Sequence, residues 1–244
     1  MRRLWMSLLL VPVIAVAAPT AALASPKAPA AQAARTADAA RAAAAEALQP
    51  GMSGAEVKAL QRRLAALRYY PGAIDGRFGT NTLEAVWAFY EVQGLPVHDY
   101  VSSAMTWALA HPRAPRALAP GGGADRIEVN LSREVLVLYR DNQVELISHV
   151  STGGHYYYCS NGGCAYAVTP TGDFSTVVFM PGWVHVPLGE MYNPVFFIGT
   201  AFAIHGDTDV PLEPVSHGCV RIPMDIAAFF HMLVHIPGEP VYVR

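Results

Sequence analysis

The chain has 244 residues, 52% of them hydrophobic and 15% charged, with a formal net charge of −2. That balance excludes a basic nucleic-acid binder, and 4 Trp, 11 Tyr and 9 Phe exclude an acidic disordered protein. The length suits one large domain or two modest ones.

Met1-Arg2-Arg3 opens the chain, an apolar run follows from Leu4 to Ala18, and Ala22-Leu23-Ala24 precedes Ser25. A positive start, a short apolar middle and a small-x-small end predict a secretory signal peptide over residues 1–24. Ser7 and Pro12 interrupt the run, which falls short of the ~20 residues a spanning helix needs. Membrane contact is therefore expected only through this segment, before cleavage. The mature protein is expected to be secreted or held in the cell wall, where disulfides persist. Residues 25–49 are low-complexity Ala without an apolar stripe, and read as a spacer.

Residues 50–111 read as a small three-helix module. Ser53-Gly-Ala-Glu56 predicts a capping box, and Val57, Leu60, Leu64 and Leu67 mark one helix face ending near Tyr69. A turn-rich loop spans Gly72 to Gly79. A second helix, about Leu83–Val92, turns Val86, Phe89 and Tyr90 inward, and a third with Met105 and Leu109 ends before Pro112. Such a core is marginal alone. The module offers no cysteine and no paired carboxylates, which favours binding over catalysis. Gly54-x-x-Val57-x-x-Leu60-Gln61, Asp75-Gly-x-Phe-Gly79, Thr82 and Ala85-Val86-x-x-Phe89 resemble the peptidoglycan-binding domain of bacterial cell-wall enzymes. The resemblance implies peptidoglycan glycan and stem peptides as partners; a plain spacer domain is the alternative. Tyr90 and Asp99 stand where that family commonly has Gln and Gly.

Residues 112–124 are Pro- then Gly-rich and read as a linker. From 125 to 244 the period changes. Ile127, Val129 and Leu131 alternate, Val135–Tyr139 is β-branched-rich, Asp141-Asn142 turns, and Val144–Val150 returns. Further strands are expected at Gly172–Phe179, Val195–Ile198, Ala201–His205 and Val241–Arg244, with one helix at Met224–Val234. The fold class is α+β: a three-helix module, then a mostly antiparallel β domain with a short helix.

Three cysteines in an exported chain leave one over. Cys159 and Cys164 flank a Gly-containing turn and are expected to pair, which leaves Cys219 as a thiol. It lies fourteen positions past His205, within Val215-Ser-His-Gly-Cys-Val-Arg-Ile222. A neighbouring imidazole, an arginine and oriented backbone N–H groups can activate a thiol. Gly218 lets the backbone bend so that successive N–H groups face one point, as an oxyanion hole requires. Residues alone leave other readings open: His205, His217 and Cys219 as three zinc ligands, or a structural cysteine among core histidines. Nor do they choose between His205 and His217 as the base.

His205-Gly206 followed by Ser216-His217-Gly218-Cys219 and Arg221, with Ser151-Thr-Gly153 and Thr169-Pro-Thr-Gly172 upstream, resembles the YkuD-type L,D-transpeptidase catalytic domain. The resemblance covers essentially all of residues 125–244. It implies Cys219 as the acyl-accepting nucleophile and His205 as its base. His217 and Ser216 then orient the loop, Gly218 and Cys219 N–H groups receive the oxyanion, and Arg221 holds the loop or a substrate carboxylate. Asp207 or its carbonyl is a candidate to orient His205. The implied reaction is a 3→3 cross-link made through a thioester with release of D-alanine, needing no metal or organic cofactor, by a monomer open to carbapenem acylation. Thioester hydrolysis, making an L,D-carboxypeptidase, and a non-catalytic wall-binding protein are the alternatives. Two departures are Glu134, where Gln is more usual, and the Tyr-rich insertion His155–Tyr166.

Overall fold

The computed structural model describes residues 47–160 and 162–244. The predicted signal peptide and nearly all of the spacer lie outside the described residues. Among those described, no helix is long and apolar enough to cross a membrane.

Among the described residues three helices come first: α1 (Ala55–Ala66), α2 (Thr80–Gln93) and α3 (Ser103–Ala110). α1 buries Val57, Leu60 and Leu64, the stripe that the spacing predicts. Its start departs from expectation. Gly54 is the N-cap, at φ 141°, with no side-chain cap bond, and Ser53 instead pairs with Arg77 across a β-bridge. The turn loop is responsible: Gly54 N–H donates to Gly76 O at 2.8 Å, which draws the entry strand away from a capping geometry. A side-chain cap appears at α3, where Ser102 Oγ accepts from Met105 N–H at 3.2 Å.

Two five-stranded sheets and a hairpin follow. The first sheet contains β1 (Arg126–Asn130), β2 (Val135–Arg140), β3 (Gln143–His149), β6 (Gly172–Ser175) and β12 (Pro240–Val243), in the order β3-β2-β1-β12-β6. The second contains β7 (Val178–Phe179), β8 (Trp183–Val186), β9 (Gly189–Ile198), β10 (Phe202–Asp207) and β11 (Val220–Pro223). Its order is β11-β10-β9-β7, with β8 also paired to β9. β4 (Tyr157–Ser160) and β5 (Gly163–Tyr166) form the separate hairpin. β1–β12 and β10–β11 are parallel; the other pairings are antiparallel.

The expected single strand at Gly172–Phe179 is two short strands in different sheets. Between them Thr176 is buried, and its Oγ donates to His235 O at 2.6 Å while its N–H donates to Glu239 O at 2.9 Å. Those bonds divert the chain from one sheet to the other.

β2 accounts for its own unbroken apolar run. Leu136 and Leu138 face the core between the sheets, where α4 (Met224–Leu233) adds Ile226 and Phe230. Val135, Val137 and Tyr139 face the other way and join Leu64, Val86, Phe89 and Met105 in a second core. A strand covered on both faces has no polar alternation. The helical module, marginal alone, thus shares its core with the sheet, each fully buried apolar side chain contributing about 1.5–3 kcal/mol. Backbone bonding reinforces the join: Ile147 N–H donates to Arg68 O at 2.9 Å.

Candidate active site

β10 and β11 lie side by side and parallel, with His205 in register with Arg221 and Ile204 with Val220. This pairing carries Cys219, one residue before β11, to the level of Ala203. His205 and Cys219 line one cavity of about 630 Å3 together with Ser216, His217 and Arg221. His205 is buried, and its Nδ1 lies 2.9 Å from the Gly206 carbonyl oxygen. A carbonyl only accepts, so Nδ1 carries the proton and Nε2 presents a lone pair. The orienting group is therefore the Gly206 carbonyl, in place of the expected Asp207.

Asp207 is engaged elsewhere. Arg221 Nε stands 3.1 Å from Asp207 Oδ2, and Arg221 Nη1 donates to Asp209 O at 3.1 Å. Both partners belong to the end of β10 and the loop leaving it, so Arg221 ties that loop to β11. Its backbone also exchanges hydrogen bonds with Ser151, at 3.0 and 3.1 Å.

The turn before the thiol is held from within and from behind. Ser216 Oγ donates to Cys219 O at 2.6 Å and accepts Gly218 N–H at 3.0 Å. The second bond occupies Gly218 N–H, which conflicts with the oxyanion role expected for it. Thr169 Oγ1 donates to Gly218 O at 2.8 Å while accepting Gly153 N–H at 2.9 Å. Gly218 has φ 137°, and a Cβ there meets Phe202 Cε1 at 2.6 Å, so only glycine fits. Ser216 N–H donates to Thr152 O at 2.9 Å, and Thr152 in turn donates its N–H and hydroxyl to Glu134, both at 2.7 Å. Glu134, Thr152 and Thr169 are supports whose purpose residue chemistry did not disclose. Thr152 and Thr169 leave a trace as the short Thr-Gly and Thr-Pro-Thr-Gly pieces, and Glu134 as a departure from the usual Gln.

The Tyr-rich insertion forms one wall. Cys159 and Cys164 sit opposite each other in the β4–β5 register and are bridged, with S–S 2.03 Å, while Cys219 is free. The Tyr158 and Tyr156 rings meet the His217 ring edge-on, at 4.6 and 5.7 Å between centroids. His217 thus faces the insertion. Val186, Leu188 and Met191 from the β8–β9 hairpin make an apolar wall of the same cavity.

Burial dominates the electrostatics. It pushes the Cys219 thiol above its ordinary range, opposed by a backbone hydrogen bond at Ala203 and by the Arg221 charge. Burial also holds His205 below the usual imidazole value, against the Gly206 bond and Asp207. His217 is lowered too, by burial and then by Arg221. At neutral pH the thiol keeps its proton and the imidazole lining the same cavity is free to take it. Among the described residues no three His, Cys, Asp or Glu side chains are placed to hold one metal ion.

Two family models match the chain: the L,D-transpeptidase catalytic domain over residues 124–243, and a putative peptidoglycan binding domain over residues 53–106. An L,D-transpeptidase from Xylanimonas cellulosilytica, solved as residues 123–326 of that protein, is 31% identical, with a TM-score of 0.76. The match covers 81% of this chain and 97% of that one. An L,D-transpeptidase from Stackebrandtia nassauensis is 19% identical over 80% of this chain and 94% of that one, at a TM-score of 0.46. One from Mycobacterium smegmatis is 19% identical over 50% of this chain and 59% of that one, at 0.41. No curated protein sequence matches.

Proposed function

The chain belongs to the L,D-transpeptidase family and is a peptidoglycan-modifying enzyme; from that premise we propose that Cys219 is its nucleophile and 3→3 cross-linking its reaction. Cys219 Sγ attacks the carbonyl of the L-centre of diaminopimelate in a donor tetrapeptide, and its proton passes to His205 Nε2. The oxyanion is received at Cys219 N–H, with Gly218 N–H joining only when Ser216 Oγ turns away. The bond to the terminal D-alanine breaks as His205 returns the proton to the leaving amine. His205 next takes a proton from the side-chain amine of a second stem. That amine attacks the thioester, and the thiol leaves reprotonated.

The observation that carries this reading is the bond from His205 Nδ1 to the Gly206 carbonyl. It leaves Nε2 with a lone pair on a ring that lines the same cavity as the one free thiol among the described residues. A raised thiol and a lowered imidazole suit proton transfer during attack better than a standing ion pair. The predicted export segment and the wall substrate support an extracytoplasmic place, and the strained lactam of a carbapenem fits the same acyl-accepting thiol. We read the module before residue 112 as the wall-binding part and the rest as catalytic.

Hydrolysis of the same thioester gives the second reading, an L,D-carboxypeptidase, and acceptor occupancy alone separates the two. Product mass spectrometry with purified tetrapeptide muropeptide decides between them. Cross-linked dimers support transfer; trimmed tripeptide with no dimers at high acceptor concentration overturns it.

A further inference from the structure

The Pro-rich stretch that reads as a linker is a strap fastened at both ends. At one end, Gln93 donates from Nε2 to Arg113 O and accepts Arg113 N–H, both at 2.9 Å. At the other, the Glu128 carboxylate accepts Leu118 N–H at 2.7 Å and Ala119 N–H at 3.3 Å. Between the strap, the end of α2 and the helix-facing side of β1 and β2 lies a cavity of about 750 Å3. It shares no lining residue with the catalytic cleft.

Its charge is one-sided. Arg113, Arg116, Arg133 and Arg244 line it, and Glu128 is the one carboxylate among the lining residues. Glu128 is buried and already neutralised by Arg126 Nε at 2.7 Å. Arg244 pairs with Asp173, and Arg133 donates to the Glu91 carbonyl oxygen. Arg113 and Arg116 are exposed, and their guanidinium groups have no hydrogen-bond or ion-pair partner among the described residues. Two unpaired planar forks suit carboxylates, which accept two parallel N–H bonds. The groove also has apolar surface, from Val92, Pro115 and Val137.

We propose that this groove binds the carboxylates of peptidoglycan stem peptides, as a second wall contact apart from the cleft. The apolar wall receives the methyl groups of the peptide's alanines; a polyol-phosphate polymer leaves that surface unused. Holding the polymer at two places raises the effective concentration of stems near Cys219. The inference rests on the reading of peptidoglycan as substrate.

The test uses the full mature chain and sacculi stripped of phosphate polymers. Arg113→Glu with Arg116→Glu should weaken binding by at least about fivefold at low salt, the scale of two exposed ion pairs. Added salt should shrink the difference. Arg113→Lys with Arg116→Lys, which keeps the charge and loses the paired N–H bonds, should bind between the parent and the Glu variant. Capping the wall carboxylates as amides should bring the parent down to the level of the Glu variant. Turnover of a small soluble tetrapeptide should be the same in parent and variants, because neither residue lines the cleft. Equal binding of parent and Glu variant to stripped sacculi overturns the proposal. So does parent binding that disappears when phosphate polymers are removed, which assigns the groove to those polymers. Failure of the parent to acylate on the soluble tetrapeptide is a separate readout, and counts against the catalytic reading alone.

Discussion

Gly218→Ala perturbs the nucleophile's setting without touching the nucleophile. The added Cβ lies 2.6 Å from Phe202 Cε1 and 2.8 Å from the Val168 carbonyl oxygen, at a φ of 137°. Holding a non-glycine residue at such a φ costs about 1–3 kcal/mol, and overpacking adds about as much. A sum of about 2–6 kcal/mol corresponds to a Tm drop of roughly 4–24 °C for a unit of this size. The turn relieves part of the clash by shifting, and a shift of about 1 Å at a reacting group costs on the order of 10²-fold in rate. Thermal melting and acylation of Cys219 by a tetrapeptide donor measure the two effects. In a Phe202→Ala background Gly218→Ala should cost less than in the parent, by the part due to the ring, leaving the backbone strain and the Val168 contact. A Gly218→Ala protein that melts within about 1 °C of the parent and acylates within about twofold refutes the account of the turn.

His205→Ala should lose about 10²–10⁴-fold in rate, the range for a general base, and His217→Ala less, since its ring faces the tyrosine wall; the reverse order reassigns the base. Tyr158→Ala should raise KM several-fold with kcat nearly unchanged, because the ring lines the cleft and props His217; an unaltered KM removes the insertion from substrate binding. Burial holds the Glu84, Glu91 and Glu134 carboxyls up at about 7, and Glu91 beside it raises His149. The folded chain therefore keeps protons that the unfolded chain releases, so the stability they confer is full below about pH 4.5 and falls as pH rises through about 7. His205, lowered by burial, works oppositely, its contribution being lost as pH drops through and below its ordinary imidazole range. Melting should show a lower Tm at about pH 8 than at about pH 6, with Glu84→Gln flattening the difference. Glu84 Oε2 is buried without a partner among the described residues, so the variant sacrifices no bond seen at that atom; a Tm that climbs from pH 6 to pH 8 contradicts the assignment.

What was legible in the chain was whatever short-range pattern encodes. The α1 stripe, the β2–β3 hairpin, the Cys159–Cys164 pairing and the cluster from Ser216 to Arg221 all show in spacings of a few residues. Contacts across long separations did not show. The apolar run of β2 reads as a buried strand, but nothing local says that one face meets α4 and the other the helical module. Ser53 satisfies the pattern of a capping box, yet the loop near Gly76, over twenty residues away, takes its backbone first. Asp207 is the obvious carboxylate to orient His205. It is drawn off by Arg221 across the parallel β10–β11 pair, a pairing that no alternation pattern announces. Glu134 shows in sequence only as a departure from the usual Gln and Thr169 only as part of a short motif, and their work appears once the chain brings them behind the turn.

The proposed reaction requires Cys219 to carry the acyl group. Intact-protein mass spectrometry of the mature chain, quenched soon after mixing with a tetrapeptide stem, tests it most directly. One adduct per chain is expected, with the mass of the stem less its terminal D-alanine. The adduct should map to Cys219, disappear on adding an acceptor stem, and be absent from Cys219→Ala. An adduct of the same mass on Cys219→Ala, or turnover by that variant at the parent's rate, contradicts it.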